Sequence, residues 1–161
     1  MKHLVENVQI RRMTAADLGR VLEIAASLPE SPHWPESAYL DALNPESAPR
    51  RIALVAEGLD PAGSNHLEGF TAASLLPPQA ELESIAVAAG SQRRGLGHML
   101  FDALMNELRK GGVLQITLEV RASNHAALAF YRHAGFSQTG LRRAYYADPV
   151  EDAMLMRLDT L

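Results

Sequence analysis

The segment VAAGSQRRGLGH (87–98) sets the glycines Gly95 and Gly97 and two arginines where a strand gives way to the most regular helix of the chain. Free amide N–H groups at such a helix start point outward, glycines let a ligand approach the backbone, and the helix dipole favours negative charge. The junction is therefore suited to an anion, and a pyrophosphate fits it; a tight turn with solvated arginines is the alternative. Spacing removes two other phosphate motifs. A dinucleotide fingerprint needs a small residue where Leu100 stands, and a P-loop needs Lys-Ser or Lys-Thr where His98 stands. Carboxylates accompany this junction on two alternating segments. In AELESIAV (80–87) the period of two puts Glu81, Glu83, Ile85 and Val87 on one face, with Leu82, Ser84 and Ala86 on the other. In VLQITLEV (113–120) Gln115, Thr117 and Glu119 oppose Leu114, Ile116, Leu118 and Val120. Cysteine is absent, which removes thiolate nucleophiles and Cys-ligated metals, and the six His show no His-Glu-x-x-His or other ligand spacing, so no metal is expected.

These groups need elements to hold them. A short strand at Val8 to Arg12 precedes Thr14 and Asp17, whose spacing resembles a capping box opening a helix lined by Leu18, Val21, Leu22 and Ala25. The prolines of LPESPHWP (28–35) mark a loop, and Pro35 suits the first turn of a second helix ending near Asn44. RIALVAE (51–57) and LEGFTAASLL (67–76) read as strands around the turn-rich GLDPAGSN (58–65), which predicts a long connection. Leu96, Leu100, Ala103, Leu104 and Leu108 repeat at helical spacing up to Gly111 and Gly112. A further helix is expected from about Asn124 to His133, followed by two last strands around ADPVED (147–152). The order of elements predicts a mixed α/β sheet with helices on both faces.

Composition narrows the function. The chain has 161 residues, one domain's length, and 15 Lys+Arg against 19 Asp+Glu leave a net charge of −4, which argues against nucleic acid as a partner. No apolar run approaches the roughly 20 residues of a membrane span, and the charged start MKHLVENVQIRR has no signal-peptide core, so a soluble cytoplasmic protein is expected.

The loop Gln92-Arg93-Arg94-Gly95-Leu96-Gly97 resembles the Gln/Arg-x-x-Gly-x-Gly/Ala loop of the GCN5-related N-acetyltransferases. LEVRASNHAALAFYRHAGF (118–136) is similar to the family's second half, and RRAYYADPVEDAMLM (142–156) to the ending of its RimI-type ribosomal-protein-alanine and N-terminal acetyltransferase members. The resemblance implies a mostly antiparallel, seven-stranded V-shaped sheet, with acetyl-CoA as acetyl donor entering a splay between the strands that end at Val87 and Val120. It implies that the backbone of Ile85, Ala86 and Val87 runs beside the pantetheine, that the amides of Arg93, Arg94, Gly95, Leu96, Gly97 and His98 cradle the pyrophosphate, and that Asn124 hydrogen-bonds the cofactor. By the same resemblance Glu119 accepts the amine proton and Tyr131 returns one to the leaving thiolate. Other readings stay open: Glu119 as a strand carboxylate paired with Arg121, Glu81 or Glu83 as the base, and Tyr131 as a core aromatic. The implied acceptor is a protein N-terminus, the alanine of ribosomal protein bS18 foremost, gripped by Trp34, Tyr145 and Tyr146; Trp34 can equally be a packing anchor. Small amines, lysine, or a non-catalytic acetyl-CoA sensor are the alternatives, and a monomer or weak dimer is expected. Three features depart from the RimI-type pattern: Pro35 where Ser is common, Ser84 where Asn is common, and the long hairpin at Asp60 to His66.

Overall fold

The computed structural model describes residues 7–28, 34–59 and 62–159, so parts of the loop at 28–35 and of the connection at 58–65 lie outside the described residues. The elements follow the expected order: β1 (Val8–Arg12), α1 (Leu18–Ser27), α2 (Glu36–Leu43), β2 (Arg50–Gly58), β3 (His66–Leu76), β4 (Gln79–Val87), α3 (Leu96–Lys110), β5 (Gln115–Arg121), α4 (His125–His133), β6 (Ser137–Ala147) and β7 (Val150–Asp159). They form one seven-stranded sheet in the order β1-β2-β3-β4-β5-β7-β6. Every pairing is antiparallel except β4 with β5.

Local chemistry explains the helices. The Thr14 N–H donates to Asp17 Oδ2 at 2.8 Å, and Arg11 binds the same carboxylate, so the chain enters α1 already braced. α3 begins after Gly95, whose φ of +83° only glycine adopts cheaply, and ends at Gly111 and Gly112 with Arg109 and Lys110 in its last turn, where cations complement the dipole. α4 is capped by Asn124, whose Oδ1 accepts the Ala127 N–H at 3.1 Å. Two apolar layers cover the sheet. Leu100, Phe101, Leu104 and Leu108 of α3 and Leu128 and Tyr131 of α4 pack on one face with Ile116, Leu118 and Val120 of β5. Val21 and Ile24 of α1 and Tyr39 of α2 pack on the other with Val55, Phe70 and Ala86.

Two expectations for the strands need correction. Leu114 lies before β5 and is exposed, its N–H bonded to the Pro78 carbonyl rather than in a strand ladder. More consequentially, β4 does not keep one alternation throughout. Ala72 opposes Ser84 while Ala73 opposes Leu82, so Glu83 is an extra residue with no partner of its own, a bulge. The bulge shifts the pleat by one: Ala80 and Leu82 face α3, and beyond it Ile85 and Val87 pack against that same layer, while Ala86 joins the α1 side. Glu81 and Glu83 therefore do not share a continuous face with Ile85 and Val87.

Candidate active site

β4 and β5 pair only at Gln79 with Gln115, Ala80 with Ile116 and Glu81 with Thr117, then part. This is the V of the sheet, and it leaves strand-edge groups exposed. The Ala88 N–H donates to the Glu68 carbonyl at 2.8 Å, so by the alternation of an antiparallel ladder Ala86 also bonds toward β3, whereas the N–H and C=O of Ile85 and Val87 point into the gap. The Gln92 amide reaches back and donates to the Val87 carbonyl at 3.0 Å.

A cavity of about 360 Å³ opens at this edge and brings together Ile85, Ala86, Val87, Arg93, Gly95, Leu96, Gly97 and His98 of the expected cofactor residues. The loop that closes it carries two left-handed residues, Arg93 at φ +64° and Gly95 at φ +83°. A left-handed arginine is uncommon and marks a backbone held in shape by its surroundings. Alternation of hand in this stretch turns successive N–H groups to one side, the geometry of an anion-binding concavity at a helix start. Arg94 is not among the lining residues: its guanidinium turns inward to Glu68 Oε1 at 3.0 Å. Gly97 packs against α4, where an added Cβ would stand 3.2 Å from Phe130 Cε2.

A second cavity of about 610 Å³ adjoins the first along Ile85, Ala86, Val87 and Gln92 and is lined further by Glu83, Ser84, Glu119, Arg121, Asn124 and Tyr146. Tyr131 lines both cavities. Its phenol is pushed well up by burial and further by Tyr146, so it holds its proton throughout the neutral range. The Tyr145 hydroxyl hydrogen-bonds Glu119, which raises that phenol too, and Arg142 Nε stands 3.5 Å from Glu119 Oε1. Glu81 is pushed up by burial and by repulsion from Glu83 and Glu119, while Glu83 is held by Arg51 at 2.9 Å. Arg121 is not the partner of Glu119: it pairs with Glu151 at 3.3 Å and lies over the Tyr146 ring at 4.2 Å.

Tyr145 lines neither cavity and meets the site through its hydrogen bond to Glu119, whereas Tyr146 reaches the second cavity through an irregularity in β6. Its register with β7 shifts between Arg142 and Tyr146, and Ala144 takes φ +51° with its N–H donated to Asp152 Oδ1 at 2.8 Å. Trp34 lies elsewhere; it packs on Tyr39 at 5.1 Å and lines neither cavity. Arg142 and Glu68 carry site geometry that sequence reasoning missed, and Gln92 is marked there only as the first residue of the loop motif, without a role. Of Arg142 and Glu68 only Glu68 left a local signal, as the one acidic residue of the apolar run LEGFTAASLL (67–76). Among the described residues no three His, Cys, Asp or Glu side chains assemble as a metal-binding group, and no helix is long and apolar enough to cross a membrane.

A sheet split between its fourth and fifth strands, with a glycine-rich helix start at the split, defines a class. The chain belongs to the acetyltransferase (GNAT) family, whose model matches residues 20–136, and that family uses acetyl-CoA. Over 161 aligned residues it is 38% identical to the N-alpha-acetyltransferase RimI of Mycobacterium tuberculosis, covering 96% of this chain and 94% of that one. It is 44% identical over 96 residues to the [ribosomal protein bS18]-alanine N-acetyltransferase of Salmonella typhimurium, a match spanning 58% of this chain and 65% of that relative's length. The crystal structure of the ribosomal-protein-S18-alanine N-acetyltransferase from Escherichia coli superposes with a TM-score of 0.78 at 31% identity, covering 95% of this chain and 94% of that one.

Proposed function

We propose that this chain is an acetyl-CoA-dependent N-acetyltransferase that acetylates the N-terminal α-amine of a protein, with the N-terminal alanine of ribosomal protein bS18 as the leading acceptor. The observation that carries the reading is the junction at Tyr131, where a cavity lined by the anion-suited loop meets one lined by Glu119. Similarity along almost the whole chain to an N-alpha-acetyltransferase supports an α-amine as acceptor, and the likeness to the ribosomal-protein-S18-alanine N-acetyltransferase of Escherichia coli supports the alanine terminus.

The residues present fit acetyl-CoA. The inward-facing N–H and C=O groups of Ile85 and Val87 lack a strand partner beyond the split and suit the amides of a pantetheine arm. The left-handed turns at Arg93 and Gly95 suit a pyrophosphate through the loop amides, with the Arg93 side chain at the same cavity. Asn124 lines the second cavity rather than the first and spends Oδ1 on its helix cap, so its Nδ2 is the donor that would reach the cofactor where the two cavities adjoin. When bound, acetyl-CoA supplies an acetyl group activated as a thioester.

The chain's own groups then move protons. A protein α-amine has a pKa of about 8, so it is partly protonated at neutral pH and a carboxylate need do only modest work to free its lone pair. Glu119 takes that proton. Tyr131, kept protonated by burial, hands one to the departing thiolate, and the Val87 N–H can hold the developing oxyanion. With no cysteine in the chain to carry an acyl group, transfer is direct within a ternary complex. Tyr146 lines the acceptor side and Tyr145 stands beside it on Glu119, so both offer hydroxyl groups to a peptide backbone, while Glu83 and Glu119 in the cavity lining and Glu81 beside them attract a cationic chain end. The proposal places these activities in one domain, working as a monomer or weak dimer in the cytoplasm.

The test is a competition among Ala-initiated peptides, the same peptides with blocked N-termini and one internal lysine, and free polyamines. The Ala-initiated peptides are expected to be acetylated fastest at the α-amine by mass spectrometry. Preferred turnover of blocked peptides or polyamines overturns the acceptor assignment.

A further inference from the structure

Glu68 is a carboxylate in the interior of the apolar strand β3 and only 5% exposed. A charge so placed is tolerated only with close partners, and its partners converge from one direction. The Arg94 guanidinium donates to its Oε1 at 3.0 Å, the Ser91 hydroxyl approaches the same oxygen at 3.4 Å, and the Ala88 N–H donates to its main-chain carbonyl at 2.8 Å. Residues at three places in the segment 88–94 are thus tied to a single residue of β3. His66 Nε2, at 3.3 Å, reaches the same oxygen from the strand itself.

The consequence falls on the two arginines. Arg93 and Arg94 are alike in chemistry and adjacent in sequence, yet Arg93 lines the cofactor cavity while Arg94 is drawn behind the loop. Drawing Arg94 inward fixes the backbone on either side of it in the left-handed region, at Arg93 and at Gly95. A left-handed arginine is uphill by itself, so the shape needs a restraint that over-determines it. The buried ion pair is that restraint.

We propose that Glu68 is a positioning residue for acetyl-CoA: by anchoring Ala88, Ser91 and Arg94 it holds the 88–95 loop in its anion-binding form before the cofactor arrives. The inference rests on the reading of this cavity as the acetyl-CoA site, and it separates cofactor affinity from catalysis, because Glu68 touches neither the acceptor cleft nor the proton path.

The experiment compares the wild-type chain with Glu68→Ala, Glu68→Gln and Arg94→Gln, using CoA in calorimetry and acetyl-CoA with an Ala-initiated peptide in steady-state kinetics. Glu68→Ala is expected to raise the CoA Kd and the acetyl-CoA KM about tenfold, as loss of a charge-assisted hydrogen bond implies. The peptide KM, and kcat at saturating acetyl-CoA, are expected to stay within about twofold. Glu68→Gln, whose amide oxygen still accepts from Arg94, should recover most of the affinity, and Arg94→Gln should reproduce the loss even if Glu68→Ala does not fold. CoA affinity equal to wild type in folded Glu68→Ala or Arg94→Gln, whatever the change in Tm, overturns the inference alone. A loss spread equally over peptide KM and kcat overturns it as well. Failure of the wild-type chain itself to bind CoA overturns the cofactor reading and this inference with it.

Discussion

Replacing Glu119 with glutamine separates the proton path from the shape of the cleft. The carboxylate is held from one side by donors, the Arg142 guanidinium at 3.5 Å and the Tyr145 hydroxyl, and an amide oxygen can accept from both. The fold and the tyrosine pair should therefore survive, and only proton affinity is lost. An α-amine of pKa about 8 is neutral in roughly one molecule in ten at pH 7, and a positioned base contributes about 10² to 10⁴ in rate. The modest task puts the expected loss at the lower end, about 10²-fold in kcat/KM or about 2.7 kcal/mol of transition-state stabilisation. Raising the pH from 7 to 9 makes nearly all of the amine neutral without help, so the variant's rate should climb roughly tenfold over that interval. Glu81 should not take over. Repulsion from Glu119 is one of the causes that push the Glu81 carboxyl up, so removing it lets Glu81 fall back toward its ordinary range and become a weaker base. Steady-state rates with an Ala-initiated peptide from pH 6 to 9.5, read as released CoA thiol, decide the matter. A Glu119→Gln rate within about threefold of wild type throughout, or a greater loss in Glu81→Gln, refutes the assignment.

Tyr131→Phe should lower kcat by about 10²-fold while leaving the CoA Kd near wild type, since proton return matters mainly in the transition state; a pure affinity defect in calorimetry would count against an acid role. At Gly97 the nearest obstacle is the edge of the Phe130 ring, 3.2 Å from an ideal Cβ, so Gly97→Ala should fold and bind CoA only severalfold more weakly. Gly97→Val should cost about tenfold or more, and unchanged affinity in folded protein would remove this loop from the cofactor site. Arg11 holds the Asp17 carboxyl below its ordinary range, chiefly through their hydrogen bond. A depressed carboxyl contributes stability above its unfolded pKa and loses it as pH falls through the folded one, so Asp17→Asn should cost about 2 kcal/mol at neutral pH. That difference should narrow below about pH 4 in urea unfolding, and a constant gap down to pH 2 would contradict the linkage.

Elements with a strong local period were legible before any coordinates. Leu96, Leu100, Leu104 and Leu108 of α3 and Ile116, Leu118 and Val120 of β5 are buried as their spacing marks, with Leu114 the exception, and the glycines around 95–97 announce the helix start that the cavity uses. Features that depend on a partner far away in the chain were not. The bulge at Glu83 leaves an unbroken alternation in the sequence on either side, and only the register against β3 shows that the faces have exchanged. Nothing local distinguishes Arg93 from Arg94, because the choice between cavity and core is made by Glu68 on another strand. The same holds for Glu119: the basic residue two places on suggested a partner, but Arg121 is taken by Glu151, and Arg142 arrives from β6 through a strained turn at Ala144 that Asp152 holds. Trp34 had the aromatic character that a groove wants, and Tyr39 and the α1 layer claim it instead.

The bulge and the early end of β4–β5 pairing together let one strand line two cavities. Up to Glu81 the strand is an ordinary member of the sheet, hydrogen-bonded on both sides. Past Glu83 its outer edge has no neighbour, so the polar groups of Ile85 and Val87 would be an aggregation-prone edge on any other protein. Here that edge lies inside a cleft rather than on the rim of the sheet, where only a narrow extended molecule can reach it. The exchange of faces matters as much. Had the alternation run on unbroken, the Ile85 and Val87 side chains would stand on the acceptor side with Glu81 and narrow it; displaced by one residue, they pack toward α3, and the small Ser84 and Ala86 take the opposite face. A single inserted residue thus turns Ile85 and Val87 toward α3 and Ser84 and Ala86 away from it, and under the proposed function it lets a backbone-reading cofactor edge follow directly on the stretch that carries the acceptor-side carboxylates.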